Sequence, residues 1–491
     1  MKIVVAIVLV LYSLAMLFIF LYSLSQAHLL WSYLFKMRRP APNSSPQGQP
    51  QPMITVQLPV YNEKYVVERL INAVCALQYP QHLLEIQVLD DSTDDSVAVA
   101  AQCIAQWQAK GFRIQHIQRP SREGFKAGAL RYGLERAEGQ FIAIFDADFV
   151  PTPDFLQQAL PWFTDEKVGL VQTRWAHLNR KHSLLTEMQG MALDAHFTIE
   201  QRGRNQLGSF INFNGTAGVW RKQTIVDAGN WQDDTLTEDL DLSYRAQIKG
   251  WQFVYLEDVQ SPAELPMVMS AVKGQQYRWN KGGAEVARKM LGRLWRSPLP
   301  LLQKLHGSFH LLNSAIFIAI LTGALLSLPM VWIKANYPLF KNWVAIGSFS
   351  LLSFVVIGSV YFVANRRYLG SGFKGWASYL YYFPMFLSVS MGLSFHNAVA
   401  VLQGYGGKRT PFVRTPKFNI AEGSVGWKKN SYLSTRLQWV SLAEIILLLY
   451  FVTAILLDFY LRDWGLLPFH ILLVLGFGMV TGYTLLQRKG R

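Results

Sequence analysis

The sequence predicts an α/β domain with a Rossmann-like, mostly parallel sheet, set between apolar helices of membrane length. Three observations carry this reading. Between Met53 and Pro300, short apolar runs alternate with helical patterns, as in a parallel sheet with crossover helices. Apolar runs long enough to cross a bilayer gather at both ends of the chain. The charged fraction is 16%, well under the quarter or so of an average soluble domain, and the deficit sits in those end runs.

Taken in chain order, Ile3–Leu24 is the first expected span. A cleaved signal peptide is the competing reading, but its apolar core would be too long and Lys2 supplies only a thin basic start. Lys36, Arg38 and Arg39 follow. Positive charge is retained on the cytoplasmic side, so Met1 is expected outside and the following domain inside. Residues 41–52, rich in Pro, Gln, Ser and Gly, read as a flexible linker. The chain thus divides into a helix (1–35), a linker (36–52), a catalytic-sized domain (53–300) and a second membrane region (301–491).

Inside the domain, Ile54–Leu58, Ile86–Leu89 and Phe141–Phe145 read as buried strands. Each ends in polar residues: Asn62-Glu63, Asp90-Asp91 and Asp146-Ala147-Asp148. Ligands of such sheets collect at the carboxyl ends of the strands. After Pro300, His310–Val331, Trp343–Val363, Ser441–Leu461 and Leu466–Leu486 are each near membrane length. Trp376–Leu402 is also apolar but is interrupted by Ser388, Ser390, Ser394, His396 and Asn397. It lies between Arg366/Arg367 and Lys408/Arg409/Arg414/Lys417. An interfacial or re-entrant course keeps both basic loops, and the basic C-terminus, inside. Five full spans plus this segment are expected. The net charge of +15 sits mostly beside apolar runs, which fits topology better than nucleic acid, so no nucleic-acid partner is expected. Cys75 and Cys103 read as buried cytosolic thiols.

The chemistry is expected at five short stretches. Asp146 and Asp148, one residue apart at a strand end, can share a hard cation, Mg²⁺ or Mn²⁺, completed by substrate phosphates. Asp91 lies in an acidic turn whose Ser92 or Thr93 could cap a helix beginning near Asp95; a carboxylate there can also accept from a nucleobase or ribose. In Arg122–Leu130 the glycines allow close backbone approach, and Lys126 could face a phosphate or the base. Thr237 fits a helix N-cap with Glu238 and Asp239 in the first turn; one of those carboxylates could instead be a general base for an acceptor hydroxyl. Gln275–Trp279 lies on a helix just before the membrane, where Arg278 could neutralise a diphosphate and Trp279 could stack on a sugar, or the pair could anchor the interface.

The order of these stretches resembles processive family 2 glycosyltransferases, the group of bacterial cellulose, chitin and hyaluronan synthases. It is most similar to the plant cellulose-synthase-like A and C types, the mannan, glucomannan and glucan synthases. QVLDDSTDD, FKAGAL, AIFDADF, FNGTAGVWR and ELPMVMSAVKGQQYRW carry the likeness, over roughly residues 53–290. Phe412–Lys417 is similar to the Phe-x-Val-Thr-x-Lys gating loop, with Arg414 in the valine's place; the loop is expected over residues 407–418.

The resemblance implies a GT-A catalytic domain on the cytoplasmic side of a multi-pass protein of the plasma, inner or Golgi-type membrane. It implies an inverting, metal-dependent transfer of hexose from UDP-glucose, or from GDP-mannose or GDP-glucose, to a growing β-linked polysaccharide, with coupled export. Residue by residue, it places Tyr61, Glu63 and Asp91 near the base and Asp146 and Asp148 at the metal and diphosphate. Asn214, Gly215 and Thr216 fall near the acceptor sugar. Asp239 is the base, beside Glu238. Gln275, Arg278 and Trp279 line the diphosphate and the acceptor's terminal sugar; Lys126, Thr415 and Lys417 contact the donor. Two other readings stay open: a non-processive enzyme that glycosylates a membrane lipid, and a non-catalytic membrane protein that binds nucleotide-sugar.

Overall fold

The structure is a computed structural model describing residues 2–36, 51–337, 349–417, 419 and 439–487. Most of the expected linker, and the basic residues Arg38, Arg39 and Arg488–Arg491, lie outside the described residues.

A seven-stranded sheet forms the domain, in the order β3-β2-β1-β4-β6-β5-β7. The strands are β1 (Ile54–Val60), β2 (Leu84–Asp90), β3 (Arg113–Ile117), β4 (Phe141–Ile144), β5 (Val168–His177), β6 (Gly218–Arg221) and β7 (Gln252–Ala263). The three strands expected from sequence are β1, β2 and β4. All neighbouring pairs are parallel except those of β6, which runs antiparallel to both β4 and β5. Successive side chains of a strand point to opposite faces. Phe141 and Ala143 accordingly join one buried cluster, with Leu70 and Ile104 from covering helices. Ile142 and Ile144 join another, with Leu130 and Leu242. Both faces are therefore apolar and covered, which is why the runs read as continuous apolar stretches.

The chain passes from β1 to β2 and β3 on one side, then crosses to β4 on the other side of β1. That reversal opens a crevice at the carboxyl ends of β1 and β4, the usual ligand seat of such sheets. Glu63 follows β1 and Asp146 follows β4, so the topology sets the predicted acidic residues around this crevice.

Among the described residues, four helices are long and apolar enough to cross a membrane: Lys2–Phe35, Asn313–Asn336, Trp439–Leu461 and Leu467–Leu486. The expected span Trp343–Val363 begins outside the described residues; its described part lies in the helix Phe349–Leu369, which carries Arg366 and Arg367 in its last turn and is not among the four. The interrupted segment is a helix pair, Gly372–Gly392 and Ser394–Tyr405, bent by 48°.

The helix Met269–Arg296 couples this region to the domain. Lys273 pairs with Glu444 at 2.5 Å, both side chains nearly or fully buried. The Met269 amide donates to Gln487 Oε1 at 2.6 Å, and His396 Nε2 donates to the Lys273 carbonyl at 2.9 Å. A buried ion pair adds little net stability but penalises any rearrangement that separates its partners. Motion of the helix that carries Gln275–Trp279 is thereby tied to the apolar helices.

Candidate active site

One cleft at the crevice gathers almost every residue singled out from sequence: Tyr61, Glu63, Asp91, Lys126, Asp146, Asp148, Asn214, Gly215, Glu238, Asp239, Gln275, Arg278, Trp279, Thr415 and Lys417 all line it. Thr216 is the exception. It is fully buried, and its hydroxyl accepts the Asp146 amide at 2.9 Å. It therefore positions Asp146 and does not face the cleft.

Two capping expectations give way to other contacts. The helix after Asp91 starts at Ser96, whose amide is taken by Asp94 Oδ1 at 3.0 Å. Ser92 and Thr93 instead bind Asn62, joining the ends of β1 and β2. The second helix, Glu238–Ile248, begins as expected, but Thr237 makes no side-chain cap; its buried hydroxyl has no hydrogen-bond partner. Capping thus does not explain the Thr-Glu-Asp run.

Asp239 is a strongly perturbed carboxyl of the cleft. Oδ1 accepts the Leu240 amide at 2.8 Å. A Cβ at Gly215 would stand 3.1 Å from Asp239 Oδ2 and 3.4 Å from Lys126 Nζ, and Gly215 has φ +78°. Only glycine suits a left-handed backbone at so close an approach. Burial, then the like charge of Glu238, pushes the Asp239 carboxyl up to about 7. Burial also raises Glu238. A carboxyl poised near neutrality is matched to proton transfer.

Cations face these acids from three elements. Lys126 enters from the helix Phe125–Leu134, where Gly124 and Phe125 both adopt positive φ, +69° and +49°, to turn the chain toward the cleft. Its ammonium binds Asp146 and, at 2.9 Å, the Gly215 carbonyl. Burial works against that charge, but Asp146, Glu238 and Asp239 outweigh it and hold Lys126 above its usual range. Arg278 comes from the helix Met269–Arg296; burial pulls it down to about 10, still cationic at neutral pH. The third element is the segment after Tyr405. Lys417 binds Asp148 at 2.6 Å. Arg278 donates to the Val413 carbonyl at 2.6 Å and to Thr415 Oγ1 at 2.7 Å, and lies over the Phe412 ring.

Several residues were not legible as functional. Arg119 grips Asp91, with Nε on Oδ1 at 2.9 Å and Nη2 on Oδ2, and also donates to the carbonyls of Glu123 and Phe125. Arg122 stacks on Tyr61, 3.4 Å from the ring centre. His196, in a π-helical turn (His196–Gln201), bridges Asn214 and Glu200 at 3.0 Å each; such turns often mark functional sites. Glu200 in turn accepts from Gln26 of the first helix at 2.8 Å. Trp175 and His177, at the end of β5, also line the cleft. Their position on the same strand-end rim as Asp91 and Asp146 is the one signal that could have marked them.

Arg414 lines the cleft as well and pairs with Glu63 at 2.7 Å, each side chain 12% exposed. Burial raises the Glu63 carboxyl to about 7, and Arg414 is the main force opposing that rise. Contacting ion pairs couple by about 0.5–3 kcal/mol. In ligand-free protein, Arg414→Val should therefore speed chymotryptic cleavage at Phe412 roughly tenfold, since cleavage tracks the opened population. Adding Glu63→Gln should then change little. Equal rates for wild type and Arg414→Val would show that this pair does not hold the segment in place.

Whether a divalent cation suits this site depends on its donors. Asp146 and Asp148 are hard oxygen ligands on one rim. Among the described residues no group of three or more His, Cys, Asp or Glu could hold a metal unaided. Two carboxylates fit a cation that a diphosphate helps to coordinate, the usual Mg²⁺ arrangement.

The sheet, the crevice and the acid–cation cleft together form one site at the carboxyl ends of the strands. Residues 50–282 match the family model described as glycosyltransferase like family 2, and this stretch is a family 2 glycosyltransferase domain. The chain is 43% identical over 276 residues to a glucomannan 4-beta-mannosyltransferase of Oryza sativa subsp. japonica, covering 54% of this chain and 53% of that one. It is 45% identical over 252 residues to one of Arabidopsis thaliana, covering 50% and 47%. The chain thus spans about half the length of the curated relatives it matches. A mannosyltransferase from Pyrobaculum calidifontis, solved in complex with GDP-Man and Mn²⁺, shares the fold at TM-score 0.56 and 19% identity, over 81% of this chain and 100% of that one.

Proposed function

We propose that the protein is an inverting, metal-dependent membrane glycosyltransferase that moves mannose from GDP-mannose to the growing end of a β-linked, glucomannan-type chain and couples growth to export. The observation that carries this is the convergence in one cleft of Asp239, the Asp146/Asp148 pair, Arg278 and Trp279. The names of the relatives favour mannose, and the bound molecules of the solved neighbour favour GDP-mannose with a divalent cation.

Asp239 takes the proton of the acceptor hydroxyl. The freed oxygen attacks the anomeric carbon from the face opposite the diphosphate, so the carbon–oxygen bond to phosphate breaks with inversion. Lys126 and Arg278 face the departing diphosphate and offset its charge. Asp146 and Asp148 would hold Mg²⁺ or Mn²⁺, which supplies further neutralisation of the diphosphate when bound. Trp279 stacks against the acceptor sugar. Lys417 must leave Asp148, or share it, when donor and cation enter. The lipid bilayer holds the four apolar helices, with the domain on the cytoplasmic side.

Sealed inside-out vesicles carrying the protein should convert radiolabelled GDP-mannose into a polymer cut by β-mannanase, whereas right-side-out vesicles should not, because the donor cannot cross the bilayer. Labelled polymer from UDP-glucose alone would overturn the donor assignment. A lipid-soluble product would replace the polysaccharide acceptor, and activity only in right-side-out vesicles would reverse the orientation.

A further inference from the structure

The wall of the cleft formed by the end of β5 has no part in the chemistry described so far, yet it carries two polar groups without partners. His177 lines the cleft, its side chain is 5% exposed, and its Nε2 makes no hydrogen bond. Asp194 Oδ1 stands 3.8 Å away, beyond hydrogen-bond reach. The two Asp194 oxygens are already engaged, Oδ1 by Arg174 and Oδ2 by Arg180. Trp175 also lines the cleft, and its indole N–H is buried without a partner. A buried polar group left unpaired costs about 1–3 kcal/mol, so two on one wall of a cleft point to a ligand that satisfies them.

The shape of the wall says which ligand. The Trp175 and Trp279 rings lie 6.4 Å apart, tilted by 50°, and so form a corner rather than a stack. Phe149 and Phe197 back Trp175, each at 5.2 Å between ring centres, which fixes its plane. An aromatic corner with polar groups on one wall suits a pyranose, which has apolar faces and a hydroxyl rim. His177 has the right protonation for a hydroxyl. Burial, with Arg180 and Arg174 nearby, lowers it to about 4 against the pull of Asp194, so at neutral pH the ring is uncharged. A neutral imidazole presents one donor and one acceptor nitrogen, and a sugar hydroxyl can serve either.

We propose that Trp175 and His177 form the second wall of the acceptor-sugar subsite that begins at Trp279, with His177 Nε2 bound to a hydroxyl of the acceptor's terminal sugar. This rests on the glycosyltransferase reading above. His177 touches the sugar but moves no proton; it is a specificity-determining residue for the acceptor.

The test compares His177→Phe, which keeps a ring but no hydrogen bond, with His177→Gln, which restores a polar end. Each is assayed for polymer synthesis at varied mannohexaose concentration, and separately for direct mannohexaose binding and for GDP binding by calorimetry. His177→Phe should raise the KM for mannohexaose and weaken its direct binding by about tenfold, the worth of one hydrogen bond. GDP affinity and the KM for GDP-mannose should not change, and His177→Gln should recover part of the loss. Unchanged mannohexaose affinity in His177→Phe would overturn the subsite, as would an equal loss of GDP affinity, which would mark a general distortion of the cleft. If wild-type protein makes no polymer from any donor, the proposed function fails; the binding measurements still decide whether His177 reads a sugar.

Discussion

Asp239→Asn should lose glycan synthesis by about two orders of magnitude or more, while the variant still folds, stays in the membrane and binds nucleotide-sugar. An alcohol oxygen is a weak nucleophile until its proton has a destination, and a placed carboxylate supplies one at a gain of about 10²–10⁴-fold. The amide keeps the shape and can still accept the Leu240 N–H, so the local helix start should survive. A purely structural role would tolerate the change, because Asn and Asp are comparable at helix starts. The pH profile gives an independent reading. A carboxyl raised to about 7 is mostly protonated below that pH and cannot act as a base. Wild-type kcat/KM should thus fall about tenfold per pH unit on the acid side of neutrality and level off above it. Glu238→Gln tests the neighbour. It removes the like charge that helps raise Asp239, so the acid limb should move to lower pH. Asp241→Asn is a folding control, since Asp241 is fully buried between Arg245 and Lys289. Near-normal synthesis by Asp239→Asn, or a flat acid limb, would mean that another group takes the proton.

The parts of the molecule legible in the sequence were those set by local pattern. β1, β2 and β4 are buried on both faces, so they stand out as apolar runs, and their polar ends mark the crevice without knowledge of strand order. The antiparallel β6 was not legible: Gly218–Arg221 is only four residues long and has no periodicity to read. β5 was obscured because Arg174, Trp175 and His177 interrupt its apolar run, which is the same feature that turns its end into a wall of the cleft. The Thr-Glu-Asp run was placed correctly, but the cap chemistry assigned to Thr237 was wrong, since local composition cannot say whether a hydroxyl finds its amide. The resemblance carried Thr216 over together with Asn214 and Gly215, but the left-handed backbone at Gly215 turns the chain there and Thr216 is buried. Least legible of all were pairs made across the fold. Arg119 with Asp91, Arg414 with Glu63 and Lys417 with Asp148 bring distant residues together, and nothing in either partner's neighbourhood names the other. Such contacts decide how charge is balanced in the cleft, so its electrostatics had to come from the structure.

Removal of divalent cations should stop synthesis, with a loss of at least about a hundredfold in EDTA that Mn²⁺ or Mg²⁺ restores, because a cation at a transferring phosphate contributes several kcal/mol and each 1.36 kcal/mol is tenfold in rate. The charge balance of the cleft makes this a demanding test. Lys126 already binds Asp146 and Lys417 already binds Asp148, so the two carboxylates are offset before any donor arrives. A rival account then needs no metal: the two lysines and Arg278 would carry the diphosphate alone. The accounts differ in what happens at Lys417. If a cation uses Asp148, it competes with that ammonium, and Lys417→Gln should tighten the apparent Mn²⁺ affinity while lowering kcat, because a diphosphate contact is lost as well. If the lysines suffice, Lys417→Gln should lower activity with no change in its dependence on Mn²⁺, and Asp148→Asn should be mild. Under the metal reading Asp148→Asn should be as severe as EDTA, since an amide is a poor ligand for a hard divalent ion. Full turnover with the cation demonstrably absent would remove Asp146 and Asp148 from that role and leave Lys126, Arg278 and Lys417 as the groups that discharge the leaving diphosphate.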